Sequence, residues 1–345
     1  MKIFYQYSNN KTLSPTKGDM INEIGTLRAL SQFADVYYSG QKFDCNHPSY
    51  GLKNYSCSIL SMMMKQKYDV YFVRNNVGLF KKIPKKVKKI WFATPYDRYC
   101  FTYADIIATT TRTWAEWLRD GIKMHALNPR GYKFNAFPIY QTITNFSNMK
   151  GHAITNQIRD EQYNGGFIIG SFGRKSPTDH ATTLISSMTG LVQSHSDIKL
   201  AISITNSNGK LRGNNIINCK YKHKYMPYVY SACDLIVVSY HGASWNFTGS
   251  LKTIEAASCG IPVILGRSPA REELFGKDYK LFLDRFVFRN VDSQSIKELS
   301  DMILYVYENP SIMNDISKDL IEKSKFYSID ESSKRLKIIF EELLK

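Results

Sequence analysis

The chain of 345 residues is long enough for two domains, each with its own hydrophobic core. Its hydrophobic content of 43% suits a globular protein, and no run approaches the roughly 18 apolar residues of a transmembrane helix. The opening residues, Met1 to Tyr7, predict a short strand rather than a signal peptide, so we expect a cytoplasmic protein.

Basic residues outnumber acidic ones by 46 to 30, which gives a net charge of +16. This excess favours polyanionic partners, such as a phosphorylated substrate, DNA or the anionic inner face of a membrane. The alternative is a lysine-rich solvated surface, because the lysines are spread along the chain. The six cysteines lack paired or histidine-flanked spacing, which predicts reduced thiols and no metal site.

The chain begins with a predicted strand, a glycine loop, a helix and a second strand. The strand covers residues 1–7, the loop ends at Lys17-Gly18, the helix covers 20–33 with apolar side chains at helical spacing, and the next strand covers 34–38. This order is typical of the first unit of a doubly wound α/β sheet. Glu23 lies on the first turns of the helix and could point into a ligand cleft, with a solvated carboxylate as the default expectation.

Further strands are predicted at 68–73 and 90–93, with six lysines between 81 and 89 that form either a solvated surface or a phosphate-docking patch. Asp97 follows the second of these strands. Because open α/β sheets bind ligands at the carboxyl ends of their strands, Asp97 is a candidate general base for an acceptor hydroxyl. The alternative is a helix-capping Asp, or one paired with Arg98.

The predicted domains are an N-terminal Rossmann-like acceptor domain at 1–145, a linker at 146–165 and a C-terminal Rossmann-like donor domain at 166–325. The final helix, at 326–345, could cross back to the first domain. The polar, aperiodic composition before residue 165 is what suggests the linker.

The second half begins with a buried strand from Phe167 that runs into Gly173-Arg174-Lys175. Further strands are predicted at 198–204 and 235–238, and amphipathic helices at 291–343. The loop after Val238 contains two polar candidates for contact with a sugar, His241 and Asn246, and a solvent-facing loop is the alternative.

The segment from 247 to 265 reads as a loop, a helix, a tight turn and a buried strand. The small residues Thr248-Gly249-Ser250 predict a helix start before Leu251, with Ser250 or Thr248 able to cap it, and Gly260 ends the helix. The first amides of such a helix form an anion site. Glu255 lies one to two turns further on and could accept hydrogen bonds from a ribose diol. Together these features suggest a nucleoside diphosphate ligand, against the alternative of an ordinary helix–strand unit with a solvated Glu255.

This segment resembles the donor-binding signature of GT-B glycosyltransferases of the retaining group 1 (family 4-like) type, whose Glu-bearing helix ends in Ala-x-Ala-Cys-Gly-x-Pro-Val-Ile. The matching residues are Glu255-Ala256-Ala257-Ser258-Cys259-Gly260-Ile261-Pro262-Val263-Ile264. One position departs from the pattern: retaining members usually carry a second Glu eight residues before the first, and Phe247 stands there. The resemblance therefore leaves the donor sugar and the stereochemical outcome open.

The resemblance implies the GT-B fold, an α/β fold of two Rossmann-like domains with parallel sheets facing across a cleft. It implies a metal-independent, hexosyltransferase-type enzyme that uses a nucleoside diphosphate sugar, with UDP as the expected nucleotide. Glu255 would hold the ribose, Gly173-Arg174-Lys175 the diphosphate and Gly249-Ser250 the distal phosphate, while Gly18 would approach the donor. The acceptor would be a hydroxyl of a glycan or glycolipid at a membrane surface.

Two alternatives remain. Short matches to phage DNA β-glucosyltransferases allow an enzyme that glycosylates hydroxymethylated bases in DNA; they are Phe137-Pro138-Ile139-x-Gln141, Gly170-Ser171-Phe172 and Asp97-Arg98. The absence of Glu at position 247 allows a catalytically inert module that binds a nucleotide sugar or nucleic acid.

Overall fold

The computed structural model describes residues 1–6, 18–39, 68–74, 83, 86–93, 103–123, 128, 130–143, 146–172, 181–203, 215–238, 250–284 and 291–345. This part of the chain divides into two compact units. The first holds Met1–Thr144 and Phe326–Lys345, and the second holds Asn145–Asn246 and Ser250–Lys325. No helix within the described ranges combines the length and apolar character that crossing a bilayer requires.

The first unit alternates strands with helices and takes its last helix from the end of the chain. Its elements are β1 (Lys2–Gln6), α1 (Gly18–Ser31), β2 (Asp35–Ser39), β3 (Val70–Val73), β4 (Lys88–Phe92), β5 (Ile106–Thr109), α2 (Arg112–Asp120), β6 (Ala136–Pro138) and α10 (Ile329–Leu344). The strands form one parallel sheet in the order β2-β1-β3-β4-β5-β6. Gly18, predicted in the loop before the first helix, is instead the first residue of α1.

The second unit has the same alternation. Its elements are α3 (Ala153–Gln157) with a following π-helical turn (Ile158–Gln162), β7 (Phe167–Ser171), α4 (Ala181–Ser194), β8 (Ile198–Ile202), β9 (Ile216–Asn218), α5 (Met226–Ser231), β10 (Leu235–Val238), α6 (Leu251–Ser258), β11 (Val263–Gly266), α7 (Pro269–Phe275), β12 (Phe282–Leu283), α8 (Ser293–Glu308) and α9 (Pro310–Ser324). The strands form a second parallel sheet in the order β12-β11-β10-β7-β8-β9. The predicted α/β class with two Rossmann-like domains is confirmed.

Short apolar runs form the central strands because both faces of a parallel sheet are covered. All four residues of β3, β5, β10 and β11 are buried. Lys89 is an exception to the predicted solvated lysine run: it lies inside β4, 8% exposed, and its Nζ is 3.1 Å from the carbonyl oxygen of Val87. Cys233 and Cys259 are buried and Cys219 is half-buried, whereas Cys45, Cys57 and Cys100 lie outside the described residues.

The returning helix α10 completes the core of the first unit. Leu336, Ile339, Phe340 and Leu343 belong to the same buried cluster as the apolar side chains of α1 and of the central strands. The ring of Phe340 lies 6.0 Å from that of Phe72 in β3 and 6.0 Å from that of Phe33 after α1. The first unit is therefore discontinuous in sequence.

Helix α6 ends in the turn that its glycine predicts. The amide of Gly260 donates to the carbonyl of Ala257 at 2.9 Å, and the amide of Ile261 donates to that of Ala256 at 3.1 Å. This pair of bonds is the Schellman motif, which places Gly260 in the left-handed region at φ 70°. A Cβ atom at residue 260 would lie 2.6 Å from Ser317 Oγ and 2.8 Å from Ile321 Cδ1, so α9 also requires glycine here.

We expect Gly260→Ala to destabilise the protein by roughly 2 to 4 kcal/mol, through its left-handed backbone and the contacts with α9. Gly190→Ala is the matched control, because Gly190 is exposed in α4 and a Cβ there would meet nothing within 4 Å. That change should stabilise the protein by about 0.5 to 1 kcal/mol, since alanine favours the helix. Thermal unfolding of both variants measures the two effects, and shifts of the same sign would contradict this account.

Candidate functional site

The second sheet has one point at which the order of its strands reverses. From β7 the chain moves outward through β8 and β9, and it then returns to the other side of β7 to form β10, β11 and β12. Ligands of open α/β sheets bind outside the carboxyl ends of the strands at such a point. Here those ends belong to β7, which precedes Gly173-Arg174-Lys175 in the sequence, and to β10, which precedes α6 along the chain.

The carboxylate of Glu255 lies buried near this edge and is held at both oxygens. Glu255 is 3% exposed. Nε2 of His223, in the turn before α5, lies 2.8 Å from Oε1, and the hydroxyl of Tyr230 in α5 donates to Oε2 at 3.3 Å. The predicted alternative of a solvated Glu255 is therefore wrong.

Aromatic contacts connect Glu255 to the end of β7. The ring of Tyr230 lies 5.8 Å from the ring of Phe172, which directly follows β7. The hydroxyl of Ser171, the last residue of β7, donates to the carbonyl of Val237 in β10 at 2.9 Å. Phe172, the last described residue before Gly173-Arg174-Lys175, therefore contacts the tyrosine that donates to Glu255.

Ser250 directly precedes helix α6, and its carbonyl accepts from the amides of Thr253 at 3.0 Å and Ile254 at 3.3 Å. Ser250 occupies the cap position, but its side chain makes no capping hydrogen bond, and Thr248, the other predicted cap, lies outside the described residues. Its hydroxyl is buried and has no hydrogen-bond partner among the described residues. Leu251 is 9% exposed, so only its backbone amide is suited to a polar ligand.

A second buried polar cluster lies at the corresponding point of the first sheet, between β1 and β3. Glu23 of α1 is fully buried and contacts the hydroxyl of Tyr5 in β1 and the guanidinium of Arg74, which directly follows β3. Arg74 also lies over the ring of Phe92, 4.6 Å from its centroid. The expectation of a solvated Glu23 is wrong, because α1 packs this side chain against the sheet.

Most of the predicted site lies outside the described residues. These residues are Asp97, Gly173, Arg174, Lys175, His241, Asn246 and Gly249. Gly18, Ser250, Leu251 and Glu255 are described, and the last three lie together at the start and in the middle of α6. Sequence reasoning missed His223 and Tyr230, although the aromatic-rich segment before β10 was a signal that this region is unusual.

Comparisons with protein-family models and with curated protein sequences find no match. Solved structures do match over nearly the whole chain. Sucrose-phosphate synthase from Thermosynechococcus elongatus has a TM-score of 0.70 at 14% identity and covers 99% of this chain and 98% of its own. HepE of Anabaena, in complex with UDP, has a TM-score of 0.72 at 14% identity, covering 99% and 100%.

The fold is GT-B. A glycosyltransferase from Rickettsia africae shares this GT-B fold with a TM-score of 0.71 at 11% identity, covering 100% of this chain and 98% of its own. HepE is also known in complex with UDP-glucose. At these identities the likeness to GT-B structures is one of fold, so the chemistry of this chain has to come from its own residues.

Proposed function

We propose that this protein transfers a sugar from a nucleoside diphosphate sugar, with UDP as the nucleotide, to a hydroxyl of a glycan or glycolipid. The observation that carries the proposal is the buried carboxylate of Glu255 near the switch point of the second sheet. A carboxylate offers only acceptor oxygens, so it suits the two donor hydroxyls of a ribose. The hydroxyl of Ser250, which has no partner in the described part of the chain, and the first amides of α6 suit a phosphate oxygen near the same helix.

The remaining roles come from the sequence. Arg174 would bind two oxygens of the diphosphate and Lys175 would add a point charge, so that the leaving group departs without a metal ion. Gly173 and Gly249 would let the backbone approach the phosphates, and His241 and Asn246 would contact the sugar. Asp97, five residues after β4, would act as the base if the reaction inverts the anomeric centre.

The acceptor is the least constrained part of the proposal. Sucrose-phosphate synthase, with the same fold, is a carbohydrate enzyme by its name, which supports a sugar hydroxyl as acceptor. Neither the described residues nor the similar structures support DNA or a membrane surface as a partner. Release of UDP from UDP-sugars, measured with glycans, glycolipids and hydroxymethylated duplex DNA as acceptors, tests these choices directly.

Binding of UDP and of uridine to the wild-type protein and to Arg174→Ala tests the donor site. We expect UDP and UDP-glucose to raise the unfolding temperature, because they bind only the folded state. Arg174→Ala should weaken UDP by roughly 10- to 100-fold through the loss of charge-assisted hydrogen bonds, and it should leave uridine unchanged. Arg119→Ala, at an exposed position in α2, is the control. A wild-type protein that binds no nucleotide would refute the proposed function.

A further inference from the structure

The two groups that hold Glu255 come from a different part of the chain. His223 and Tyr230 lie 32 and 25 residues before Glu255, in the turn and the helix α5 that precede β10. Each contacts a different carboxylate oxygen. The orientation of Glu255 is therefore set by a tertiary contact rather than by its own helix.

Hydrogen-bond chemistry fixes the roles in this cluster. An ionised carboxylate only accepts hydrogen bonds, so Nε2 of His223 carries a hydrogen atom and donates a hydrogen bond to Oε1. Burial raises the pKa of the Tyr230 phenol well above its ordinary value, and the nearby charge of Glu255 raises it further. The phenol therefore remains a donor to Oε2 across the working pH range.

Packing keeps both donors in place. The ring of Phe146 lies 5.4 Å from the imidazole of His223 and 6.1 Å from the ring of Tyr230. Phe172 contacts Tyr230 from the end of β7. The side chain of His223 is 17% exposed and that of Glu255 is 4% exposed, so both are largely shielded from solvent. Neither donor is free to turn away from the carboxylate without disturbing these rings.

We propose that His223 and Tyr230 are positioning residues that aim Glu255 at the ribose, and that they thereby set a preference for ribonucleotides over 2′-deoxyribonucleotides. This inference rests on the proposed function. Each carboxylate oxygen can accept about two hydrogen bonds, so one from His223 or Tyr230 leaves capacity for a ribose hydroxyl. Because the carboxylate is already ordered in the free protein, binding of the ligand does not have to order it, and the free energy of binding is not reduced by that entropy cost.

The test is the ratio of the dissociation constants of 2′-deoxy-UDP and UDP, measured by calorimetry on the full chain. We expect the wild-type ratio to be roughly 10 to 100, because the deoxy ligand lacks one hydrogen bond to a charged group. His223→Ala should lower the ratio to a few-fold, while His223→Gln should restore much of it, because its amide can donate from a similar position. His195→Ala is the control. His195 precedes the amino end of β8, whereas the candidate site lies near the carboxyl ends of β7 and β10.

Tyr230→Phe provides a second route, because it removes one donor and keeps the ring that packs against Phe146 and Phe172. Its ratio should also fall, by a smaller factor because the Tyr230 contact is the longer of the two. If Glu255→Ala abolishes the preference and neither His223→Ala nor Tyr230→Phe reduces it, the positioning role is wrong and the proposed function stands. Equal loss in His223→Ala and His223→Gln would also overturn that role. If the wild-type protein binds neither nucleotide, both proposals fail.

Discussion

Replacing Glu255 by alanine is expected to lower kcat/KM for a UDP-sugar by roughly 10²- to 10⁴-fold. Under the proposed function the change removes hydrogen bonds to both ribose hydroxyls, and a hydrogen bond to a charged group contributes about 1.5 to 3 kcal/mol. It also leaves His223 and the buried Tyr230 without their acceptor, which weakens the site further. Initial rates of UDP release at varied donor concentration measure the effect.

Two companion variants separate the role of the charge from that of the side-chain shape. Glu255→Gln keeps the size of the side chain but loses the charge and one acceptor, so its activity should fall between wild type and Glu255→Ala. Glu308→Ala, at the exposed end of α8, should retain full activity. Activity in Glu255→Ala equal to that of wild type would remove Glu255 from the donor site.

The second large effect concerns stability of the first unit. Replacing Arg74 by methionine should destabilise it by roughly 3 to 5 kcal/mol, because breaking a buried ion pair leaves an uncompensated charge. The charge is that of Glu23, which is fully buried and retains only the hydroxyl of Tyr5 as a polar contact from this cluster. Thermal unfolding is the measurement, with Arg119→Met as the exposed control.

The pH dependence of this loss has a defined sign. Burial raises the pKa of the Glu23 carboxyl well above its ordinary value. The contact with the positive charge of Arg74 favours the charged form. Without Arg74 the folded-state pKa rises further above the unfolded value of about 4.3. The folded state then binds the proton more tightly, so Arg74→Met is most stable below the unfolded pKa and loses stability as the pH rises through the folded pKa.

A double variant decides whether Glu23 causes this behaviour. Glu23→Gln combined with Arg74→Met removes both charges, and its amide can still accept a hydrogen bond from Tyr5. We expect this variant to recover most of the stability and to lose the pH slope that Arg74→Met shows above about pH 4. An unchanged slope in the double variant would assign the effect to another group.

Local patterns predicted those parts of the fold that depend on neighbours in sequence. The helix at 20–33, the strand at 235–238 and the glycine stop at Gly260 were predicted within a few residues of their observed bounds. The elements β9, α7 and β12 were missed because they have only three, seven and two residues. Such lengths are too short for a hydrophobic period to stand out.

The candidate site was harder to predict because its contacts are between distant residues. The motif around Glu255 identified the carboxylate, but nothing near it in sequence points to His223 or Tyr230 as its donors. The prediction of a solvated Glu23 was wrong for the same reason. Its helix has the expected apolar spacing, and only the sheet brings Arg74 to the carboxylate. Ser250 has the residue type and position of a cap, yet its hydroxyl makes no capping hydrogen bond.

The return of α10 to the first unit has a consequence for synthesis on the ribosome. Proteins usually fold from the N-terminal domain onward as the chain emerges. Here the first unit lacks Leu336 and Phe340 until residues 329–344 have been made, and by then all of the second unit has been translated. The nascent first unit therefore waits with an incomplete core, and a fragment that stops at residue 144 would leave the apolar side chains of α1 uncovered.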